Sequence, residues 1–487
     1  MPTRLVAVGS ESQPPRLVPT KGQKGCYIAL SHCWGLTAQV LTTSATIIAH
    51  QQGIPFDSMS TTFRDALKTT TLIGCKKQPR WALFTRTLYE NAYLTIAATS
   101  AENGDGGLEG QRPQSDWVCF PCSNNVQEGH VWFTNAQWTA ETDLDYSPLN
   151  RRGWVFQERL LSRRVIHFAA SEVYWECQEC FVGQESRKKL HFTGTALDRA
   201  QWKANLQSLG HLGTFFHRRP QSPYDNNETR GSPLGLFHAI WAGAVTHYSK
   251  RQLTRADDRL IALLGLAKTI QDRTGLRFID GHWDDGSWSF VRGLAWIAPS
   301  DRKFPLPAHG LALRRCSSWS WAALEGPVDS EFGQPFKWRE NHDCTMHLLN
   351  IEEQSERYDW PCHPVQVSGM LRSLSTALNA TATVTSIYLE TPVYERKQPE
   401  DAVGWVCFDS SQDAPEEVFF CPLGLCNRRF NSLTCLVLAA VPNCSASLST
   451  FRRVGLGEVE GTHEEQLAQS DVRKSFESCQ RVAFRII

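Results

Sequence analysis

Several features that would direct a chain to a membrane or a nucleic acid are missing here. No apolar run approaches the ~20 residues that a bilayer-spanning helix requires. The 50 Lys and Arg residues balance 50 Asp and Glu residues, so no net charge attracts nucleic acid or an anionic membrane. The start of the chain, M-P-T-R-L-V-A-V-G-S, lacks the charged-then-apolar pattern of a secretory signal. We therefore expect a cytoplasmic protein without a membrane span and without a nucleic-acid partner.

The motifs that most often hold phosphates or metals are also absent or incomplete. Neither G-x-G-x-x-G nor G-x-x-x-x-G-K-[ST] occurs in the chain. Two C-x-x-C pairs, Cys119 with Cys122 and Cys177 with Cys180, have the spacing of zinc knuckles. Both pairs sit among aromatic, strand-like residues and lack the short intervening loop of a zinc ribbon. We predict no metal site and no bound cofactor.

What the chain has in quantity is length, cysteine and tryptophan. Its 487 residues are too many for one hydrophobic core and suggest two or three domains. The 16 cysteines are scattered rather than packed into a small module, which in a reducing compartment favours buried thiols. The 17 tryptophans indicate large aromatic anchors in the core or an interaction surface.

The stretch Cys26–Gly35, C-Y-I-A-L-S-H-C-W-G, is the centre of the first domain. Its apolar run predicts a strand buried on both faces, and it ends abruptly in polar, reactive and bulky residues. Ligands of open α/β sheets collect beyond the carboxyl ends of such strands. Alternatively, Trp34 plugs the end of the core and His32 makes one buried hydrogen bond. Since His32 and Cys33 are neighbours at a strand end, we expect their side chains to point apart and form no nucleophile–base pair.

Periodicity and end signals predict the remaining elements. An amphipathic helix follows Ser60, with Phe63, Ala66 and Leu67 on one face. The other expected elements are a helix within Leu41–Asp57, a weak strand at Trp81–Phe84, a strand at Ala92–Thr99, strands at Val118–Phe120 and Val131–Phe133, a short helix containing Trp154, Gln157, Glu158 and Leu161, a hairpin of Val165–Phe168 with Val173–Trp175, two helices within Leu234–Thr269, and short strands beyond Val365.

An ordered set of motifs in the chain resembles the fungal heterokaryon-incompatibility (HET) domain. The motifs are L-S-H-C-W-G (Leu30–Gly35), G-I-P-F-D (Gly53–Asp57), T-F-R-D-A (Thr62–Ala66), Y-E-N-A-Y-L-T-I-A-A-T-S-A (Tyr89–Ala101) and R-R-G-W-V-F-Q-E-R-L-L-S-R-R (Arg151–Arg164). Downstream, Y-S-K-R-Q-L-T (Tyr248–Thr254), D-R-L-I-A-L-L-G-L-A (Asp258–Ala267), S-W-S-W-A (Ser318–Ala322) and F-R-R-V-G-L-G (Phe451–Gly457) look like the C-terminal half usual in such proteins. The resemblance covers nearly the whole chain.

The resemblance implies an α/β fold: a three-layer, Toll/interleukin-receptor-like HET domain with a central, mostly parallel sheet. A helical segment and a β-rich C-terminal region follow it. We expect the HET domain at residues 1–182, a linker or insertion at 183–230, a helical middle region at 231–330 and the β-rich region, a small sandwich or sheet, at 331–487.

One interval departs from the family pattern. Between the T-F-R-D-A helix and the Y-E-N-A segment, family members carry a motif of the form W-I-D-S-L-C-I-x-Q and an acidic helix, whereas this chain has only residues 75–87. A βαβ unit takes about 30 residues. A central strand and a polar motif are therefore expected to be missing, through either a mis-predicted splice junction or a degenerate copy.

The resemblance also implies a function in fungal self/non-self recognition. Relatives trigger cell death when genetically different cells fuse, so for this chain we expect protein partners in such a system or a homo-oligomer. Because some Toll/interleukin-receptor-like domains cleave NAD, NAD is a possible substrate, which leaves open whether this protein is an enzyme. The residues expected around a nucleotide pocket are Ser31, His32, Cys33, Trp34, Arg152, Trp154, Gln157 and Glu158.

In that pocket Glu158 is the candidate catalytic carboxylate, steadying an oxocarbenium-like transition state by analogy with glycoside chemistry. The alternative is that Arg152, Gln157 and Glu158 form a buried network that locks a helix to the sheet, since buried charges are normally paired.

Overall fold

The structure is a computed structural model, and it divides the chain into two compact units, Met1–Gln207 and Ser208–Ile487. It describes residues 2–9, 13–35, 40–73, 80–82, 86–108, 118–124, 127–133, 140–184, 233–284, 289–298, 316–330, 338–339, 346–353, 363–376, 383–385, 388–394, 402–409, 415, 417–426, 432–442, 448–460, 476 and 479–487. The linker expected at 183–230 lies almost entirely outside these residues. In the described part of the chain, no helix has the length and apolar character needed to cross a bilayer.

The first unit combines ten strands with five helices among its described residues. Its strands are β1 Arg4–Ala7, β2 Arg16–Pro19, β3 Ile28–Ser31, β4 Arg80–Ala82, β5 Leu94–Ala97, β6 Val118–Asn124, β7 Gln127–Phe133, β8 Arg164–Phe168, β9 Val173–Cys177 and β10 Phe181–Gly183. Its helices are α1 Ile47–Gln52, α2 Thr61–Leu72, α3 Arg86–Glu90, α4 Ala140–Asp145 and α5 Gly153–Leu161.

Most of the elements predicted in this unit are confirmed, with one clear difference. The strand at Ala92–Thr99, the helix after Ser60 and the hairpin of β8 with β9 all form. The helix expected within Leu41–Asp57 is confined to α1, because the residues before it form a hydroxyl-capped turn. In that turn the Thr46 Oγ1 donates to the Leu41 carbonyl at 3.0 Å and accepts from the Thr43 N–H at 2.9 Å.

Eight of these strands form one mixed sheet in the order β10-β9-β8-β5-β3-β4-β1-β2. The four central strands, β8, β5, β3 and β4, run parallel to one another. The flanking pairs on both sides are antiparallel, so the sheet is mixed rather than mostly parallel. The strands β6 and β7 form a separate hairpin.

The interval 75–87, in which the resemblance implied a missing central strand, contributes β4 to this sheet. Ile28 and Ala29 of β3 pair in parallel with Trp81 and Ala82. On its other side β4 pairs antiparallel with β1, through Trp81 with Val6 and Arg80 with Ala7. A strand of three residues therefore fills the expected gap and keeps the described sheet continuous.

The helices α2 and α5 pack against opposite faces of the central strands. Ile28 and Leu30 of β3 belong to a buried cluster with Ala66 and Leu67 of α2. On the other face, Val155 of α5 lies in a smaller buried cluster with Cys33, Ala97, Leu149 and Val165. Because successive strand residues point to opposite faces, β3, β5 and β8 each place alternate side chains under α2 and the others under α5.

The second unit opens with two long helices, a two-stranded hairpin and a short helix, and its remaining described strands follow them. Its helices are α6 Pro233–Ser249, α7 Asp258–Thr274 and α8 Ser289–Gly293. Its strands are β11 Arg277–Ile279, β12 His282–Asp284, β13 Trp338–Arg339, β14 His347–Ile351, β15 Val365–Met370, β16 Arg372–Thr376, β17 Thr383–Thr385, β18 Tyr388–Tyr394, β19 Ala402–Phe408, β20 Glu417–Cys426, β21 Ser432–Ala440, β22 Thr450–Glu460 and β23 Arg481–Ile486.

Six of the later strands close a ring through antiparallel pairs. The circuit runs β16-β18-β19-β22-β21-β20 and returns to β16. Along β21, Leu433, Cys435 and Val437 belong to one buried cluster, whereas Leu436 and Leu438 belong to another. The second cluster also contains residues of the helical middle region, including Phe290 and Trp319. The helical and β-rich regions therefore share one core.

A buried arginine ties the same two regions together. Arg453 of β22 meets Asp409 with both oxygens, at 2.9 and 3.2 Å. Its other N–H groups donate to the carbonyls of Leu294 and Trp296, and its guanidinium lies 3.3 Å from the Trp296 ring centroid. The charge is thus compensated on all sides, as a buried arginine requires.

Candidate functional site

The site begins where β3 ends. Ser31 is the last residue of this buried strand, and its carbonyl accepts a hydrogen bond from the Ala98 N–H just beyond β5. The carboxyl ends of these two parallel strands therefore lie side by side at one edge of the sheet. Loops leaving this edge carry His32, Cys33 and Trp34, in the position where open α/β sheets bind ligands.

His32 and Cys33 point to opposite faces of the sheet. The His32 ring lies edge-on to Phe63 of α2, with 5.0 Å between centroids, and 5.5 Å from the Trp34 ring. Cys33 lies instead in the buried cluster beside Val155 of α5. The two side chains are therefore not placed to act as a nucleophile and its base.

Glu158 reaches the end of β3 from α5. Its Oε2 accepts a hydrogen bond from the Ser31 hydroxyl at 2.5 Å, and the Tyr89 hydroxyl also donates to its carboxylate. Tyr89 lies on α3, which packs against α5, and its hydroxyl is also 3.3 Å from the Leu30 carbonyl. One carboxyl group thus joins β3, α3 and α5. We call Ser31, Tyr89, Arg152 and Glu158 the Glu158 cluster.

The environment of Glu158 favours its neutral form. Burial raises the pKa of its carboxyl above the ordinary value, while the hydrogen bonds from Ser31 and Tyr89 and the nearby Arg152 charge pull it back in part. The same cluster raises the pKa of the Tyr89 phenol, through burial first and then the adjacent carboxylate. The Tyr89 hydroxyl therefore stays protonated.

Arg152 fastens the loop after β3 to the start of α5. It is the residue that precedes this helix, and its Nη1 donates to the His32 carbonyl at 2.6 Å. It also forms a hydrogen bond with the Cys33 thiol. Burial raises the pKa of Cys33, and the Arg152 charge opposes this rise only in part, so Cys33 stays a thiol.

His32 is held neutral. Burial, with a further contribution from the Arg152 charge, lowers the pKa of its imidazole from 6.5 to about 4. Its Nε2 is buried and has no hydrogen-bond partner among the described residues. An uncharged ring packed between Phe63 and Trp34 fits a core role for His32. The buried hydrogen bond that the alternative interpretation of Cys26–Gly35 gave to His32 is not made by its Nε2 within the described residues, and Trp34 is partly exposed.

Of the remaining expected site residues, Trp34 lies in the loop after β3, and Trp154 and Gln157 lie on α5. Trp34 and Trp154 are both partly exposed. Gln157 is buried, and its side-chain oxygen has no hydrogen-bond partner within the described part of the chain. The predicted helical face is thus divided: Gln157 and Leu161 are buried, whereas Trp154 retains exposed surface.

Sequence reasoning missed Tyr89 and a second buried cluster. Tyr89 stands at the head of the Y-E-N-A motif, which was the available signal. In the second cluster the Glu176 Oε2 meets the Arg159 Nε at 2.8 Å and the His167 Nε2 at 2.7 Å. Nothing in the spacing of these three residues along the chain predicts that they meet, because the contact depends on the pairing of β8 with β9.

The chemistry available at the cluster is that of a dehydrated carboxyl group between two hydroxyls and one guanidinium. It can hold a helix in place, or it can present a carboxyl group to a ligand at the sheet edge. Among the described residues no group of three or more His, Cys, Asp or Glu side chains is placed to hold a metal ion.

Comparison with known proteins now places the chain. Residues 80–158 match the family model described as heterokaryon incompatibility protein (HET). The chain carries a HET domain. The match starts at β4 and ends at Glu158, so it includes the Tyr89–Ala101 motif and the first half of Arg151–Arg164. No curated protein and no solved structure matches the chain. The HET domain supports a role related to heterokaryon incompatibility at the level of the family.

Proposed function

We propose that this protein is a heterokaryon-incompatibility effector, which triggers programmed cell death in fungal self/non-self recognition. The observation that carries the proposal is the Glu158 cluster, because it joins three separate HET-like motifs. Ser31 comes from Leu30–Gly35, Tyr89 from Tyr89–Ala101, and Arg152 and Glu158 from Arg151–Arg164. Residues far apart in the sequence are thus drawn into one contact set within and beside the matched domain.

In this proposal the HET domain acts by interaction, in the cytoplasm, with protein partners or with further copies of itself. The two hydroxyls that hold Glu158 support this, since they satisfy the carboxyl group within the fold. The raised pKa of Glu158 supports it further, because burial opposes the ionised form that charge stabilisation of a reaction requires. The cluster would then lock α3 and α5 to β3 and so keep the interacting surface in one shape.

We extend the proposal to the architecture of the domain. The helices α2 and α5 on opposite faces of the central strands support a three-layer arrangement of the Toll/interleukin-receptor-like type. The four parallel central strands support the same assignment.

NAD cleavage is the second candidate function. It is favoured by the position of Glu158, a carboxyl group hydrogen-bonded to Ser31 at the carboxyl edge of parallel strands. Here the Glu158 carboxylate would steady the ribosyl cation as the bond to nicotinamide breaks. Trp34 and Trp154 would contact the nucleotide. Both are partly exposed, and both are close in sequence to residues of the Glu158 cluster.

Expression in a fungal host from an inducible promoter tests the effector proposal. We expect induction to arrest growth, and unchanged growth at confirmed expression would contradict the proposal. Glu158→Gln separates the two candidate functions: toxicity retained indicates interaction, whereas toxicity lost with folding retained indicates chemistry. Asp105→Asn is the matched control, because it removes one carboxylate from an exposed loop of the same unit and should leave toxicity unchanged.

Release of nicotinamide from NAD by the purified chain tests the second candidate directly. NAD cleavage requires that release occur with the wild-type chain, persist in Asp105→Asn and disappear in Glu158→Gln. If the chain is toxic and releases no nicotinamide, NAD cleavage is refuted and the interaction proposal stands.

A third alternative, an inactive or mis-predicted copy, is tested on the transcript. Reads across the codons for residues 74–88 either reproduce this junction or restore a segment of the W-I-D-S-L-C type. A restored segment would transfer the effector proposal to the longer chain. An unchanged junction, together with loss of toxicity, would identify a silent copy.

A further inference from the structure

A pair of cysteines faces each other across the turn between β9 and β10. Cys177 is the last residue of β9, and Cys180 directly precedes β10. The Cys177 N–H donates to the Cys180 carbonyl at 2.9 Å, so the two residues are paired across a two-residue turn. Residues paired in this way have Cα atoms typically about 5.5 Å apart, which is within the range that a disulfide spans.

The two sulfur atoms are already close. The Cys177 Sγ lies 3.6 Å from the Cys180 Sγ, and both residues are thiols with partly exposed surface. A disulfide brings its sulfurs to about 2.05 Å, so closure requires only a small rotation of the side chains. By contrast, Cys33 and Cys435 are buried, so reagents in solution do not reach them in the folded state.

Local hydrogen bonds favour the thiolate of Cys177. The Glu179 N–H donates to its Sγ at 3.4 Å. Burial raises the pKa of Cys177, but hydrogen bonds from the backbone of Glu179 and Cys180 and from the side chains of Cys180 and Trp175 outweigh it, and the net pKa is below the ordinary value. The thiolate is the attacking species in thiol–disulfide exchange, so Cys177 is the one placed to react first.

We propose that Cys177 and Cys180 form a redox-active dithiol that small aliphatic disulfides oxidise. The Cys177 thiolate attacks one sulfur of the reagent disulfide, a mixed disulfide forms, and one thiolate leaves. The Cys180 thiol then loses its proton and attacks the Cys177 sulfur, the intramolecular disulfide forms, and a second thiolate leaves. Two protein thiols are oxidised and one reagent disulfide is reduced to two thiols. This inference does not rest on the proposed function.

The pair lies next to a buried ion pair of the first unit. Glu176 precedes Cys177 on β9 and is buried, with Arg159 of α5 bound to its carboxylate. Closure of the disulfide would change the turn, and the strand that directly precedes the turn is β9, which carries Glu176. The turn itself is exposed at Glu179, so closure of the disulfide has room to occur.

The test uses the full-length reduced protein, treated first with a chelator and then with oxidised glutathione. Remaining thiols are alkylated after an acid quench, and peptides are identified by mass spectrometry. We expect both thiols to disappear together as a Cys177–Cys180 disulfide. In Cys180→Ser, Cys177 should accumulate as the mixed disulfide with glutathione, because no second thiol resolves it.

The exposed Cys26 is the internal control for access of the reagent. The proposal is overturned if Cys26 reacts while Cys177 and Cys180 are both recovered alkylated. It is also overturned if the wild-type protein accumulates the mixed disulfide without closing it. The two thiols could also resist alkylation before any oxidation and become reactive once the chelator is added. That result would identify a metal-bound pair and would overturn the proposal as well.

Discussion

The imidazole of His32 should make the first unit sensitive to acid. The ring is 4% exposed and packs against Phe63 and Trp34, and its pKa is lowered from 6.5 to about 4. Below pH 6.5 the unfolded chain takes up a proton at this position that the folded chain resists. Stability from this group is therefore fully present above pH 6.5 and is lost as the pH falls towards 4.

The size of the loss follows from the two pKa values. Between pH 7 and pH 5, a histidine with a pKa of 6.5 unfolded and about 4 folded reduces the free energy of unfolding by about 2 kcal/mol. Glu158 acts in the opposite direction, because its raised pKa makes its ionised form unfavourable in the folded state at neutral pH. The effect of His32 is therefore isolated by comparing a variant with the wild type, in which the Glu158 contribution cancels.

His32→Phe removes the titrating group and keeps a ring beside Phe63. We expect the fall in unfolding free energy from pH 7 to pH 5 to be smaller in this variant by about 2 kcal/mol. Pulse proteolysis in urea, with fragments assigned to Met1–Gln207, reports on this unit alone. His347→Gln, at an exposed position in the second unit, should leave the pH dependence unchanged. If the free energy of unfolding falls by the same amount from pH 7 to pH 5 in His32→Phe and in the wild type, the reasoning is refuted.

Variants at Glu158 and at Asp409 test the buried polar contacts by their cost in unfolding free energy. Glu158→Ala removes the carboxylate that accepts from the Ser31 and Tyr89 hydroxyls, and it should lower the free energy of unfolding by about 1–3 kcal/mol. Glu158→Gln keeps an acceptor at this position and should lower it by less. Equal losses in the two variants would contradict the role of the hydrogen bonds. Asp409→Ala leaves Arg453 buried without its counter-ion and should cost about 3–5 kcal/mol in urea unfolding of the second unit. The exposed Glu353→Ala is its control and should stay within about 0.5 kcal/mol of the wild type.

Elements with a strong local signal could be predicted from the sequence. The helix after Ser60 has a regular apolar face, and α2 forms there, although the Ser60 side chain makes no capping hydrogen bond in the structure. The apolar run before Ser31 predicts a strand buried on both faces, and all four residues of β3 are buried. In both cases the deciding information lies within about ten residues of chain.

Contacts that depend on long-range pairing could not be predicted in this way. Arg152 and Glu158 belong to one sequence motif, but Tyr89, which donates to Glu158, comes from a separate short helix brought in by packing. The closed ring of six strands in the second unit depends on β16 pairing with both β18 and β20. Alternating apolar residues predict that each strand exists and leave the choice of its neighbours to the tertiary fold.

The interval 75–87 is long enough to supply a strand to the sheet but too short to hold the family motif expected there. The sheet needs backbone hydrogen bonds between β3 and β1, and three residues of β4 supply them by pairing with both. A polar motif that follows a strand needs further residues beyond its end, and the chain passes within a few residues into α3. Residues 83–85 alone separate β4 from α3, which is fewer than the polar motif expected from the resemblance, whereas β4 still pairs with both of its neighbours. The Glu158 cluster, built from β3, α3 and α5, does not draw on that interval, and its contacts form beside it.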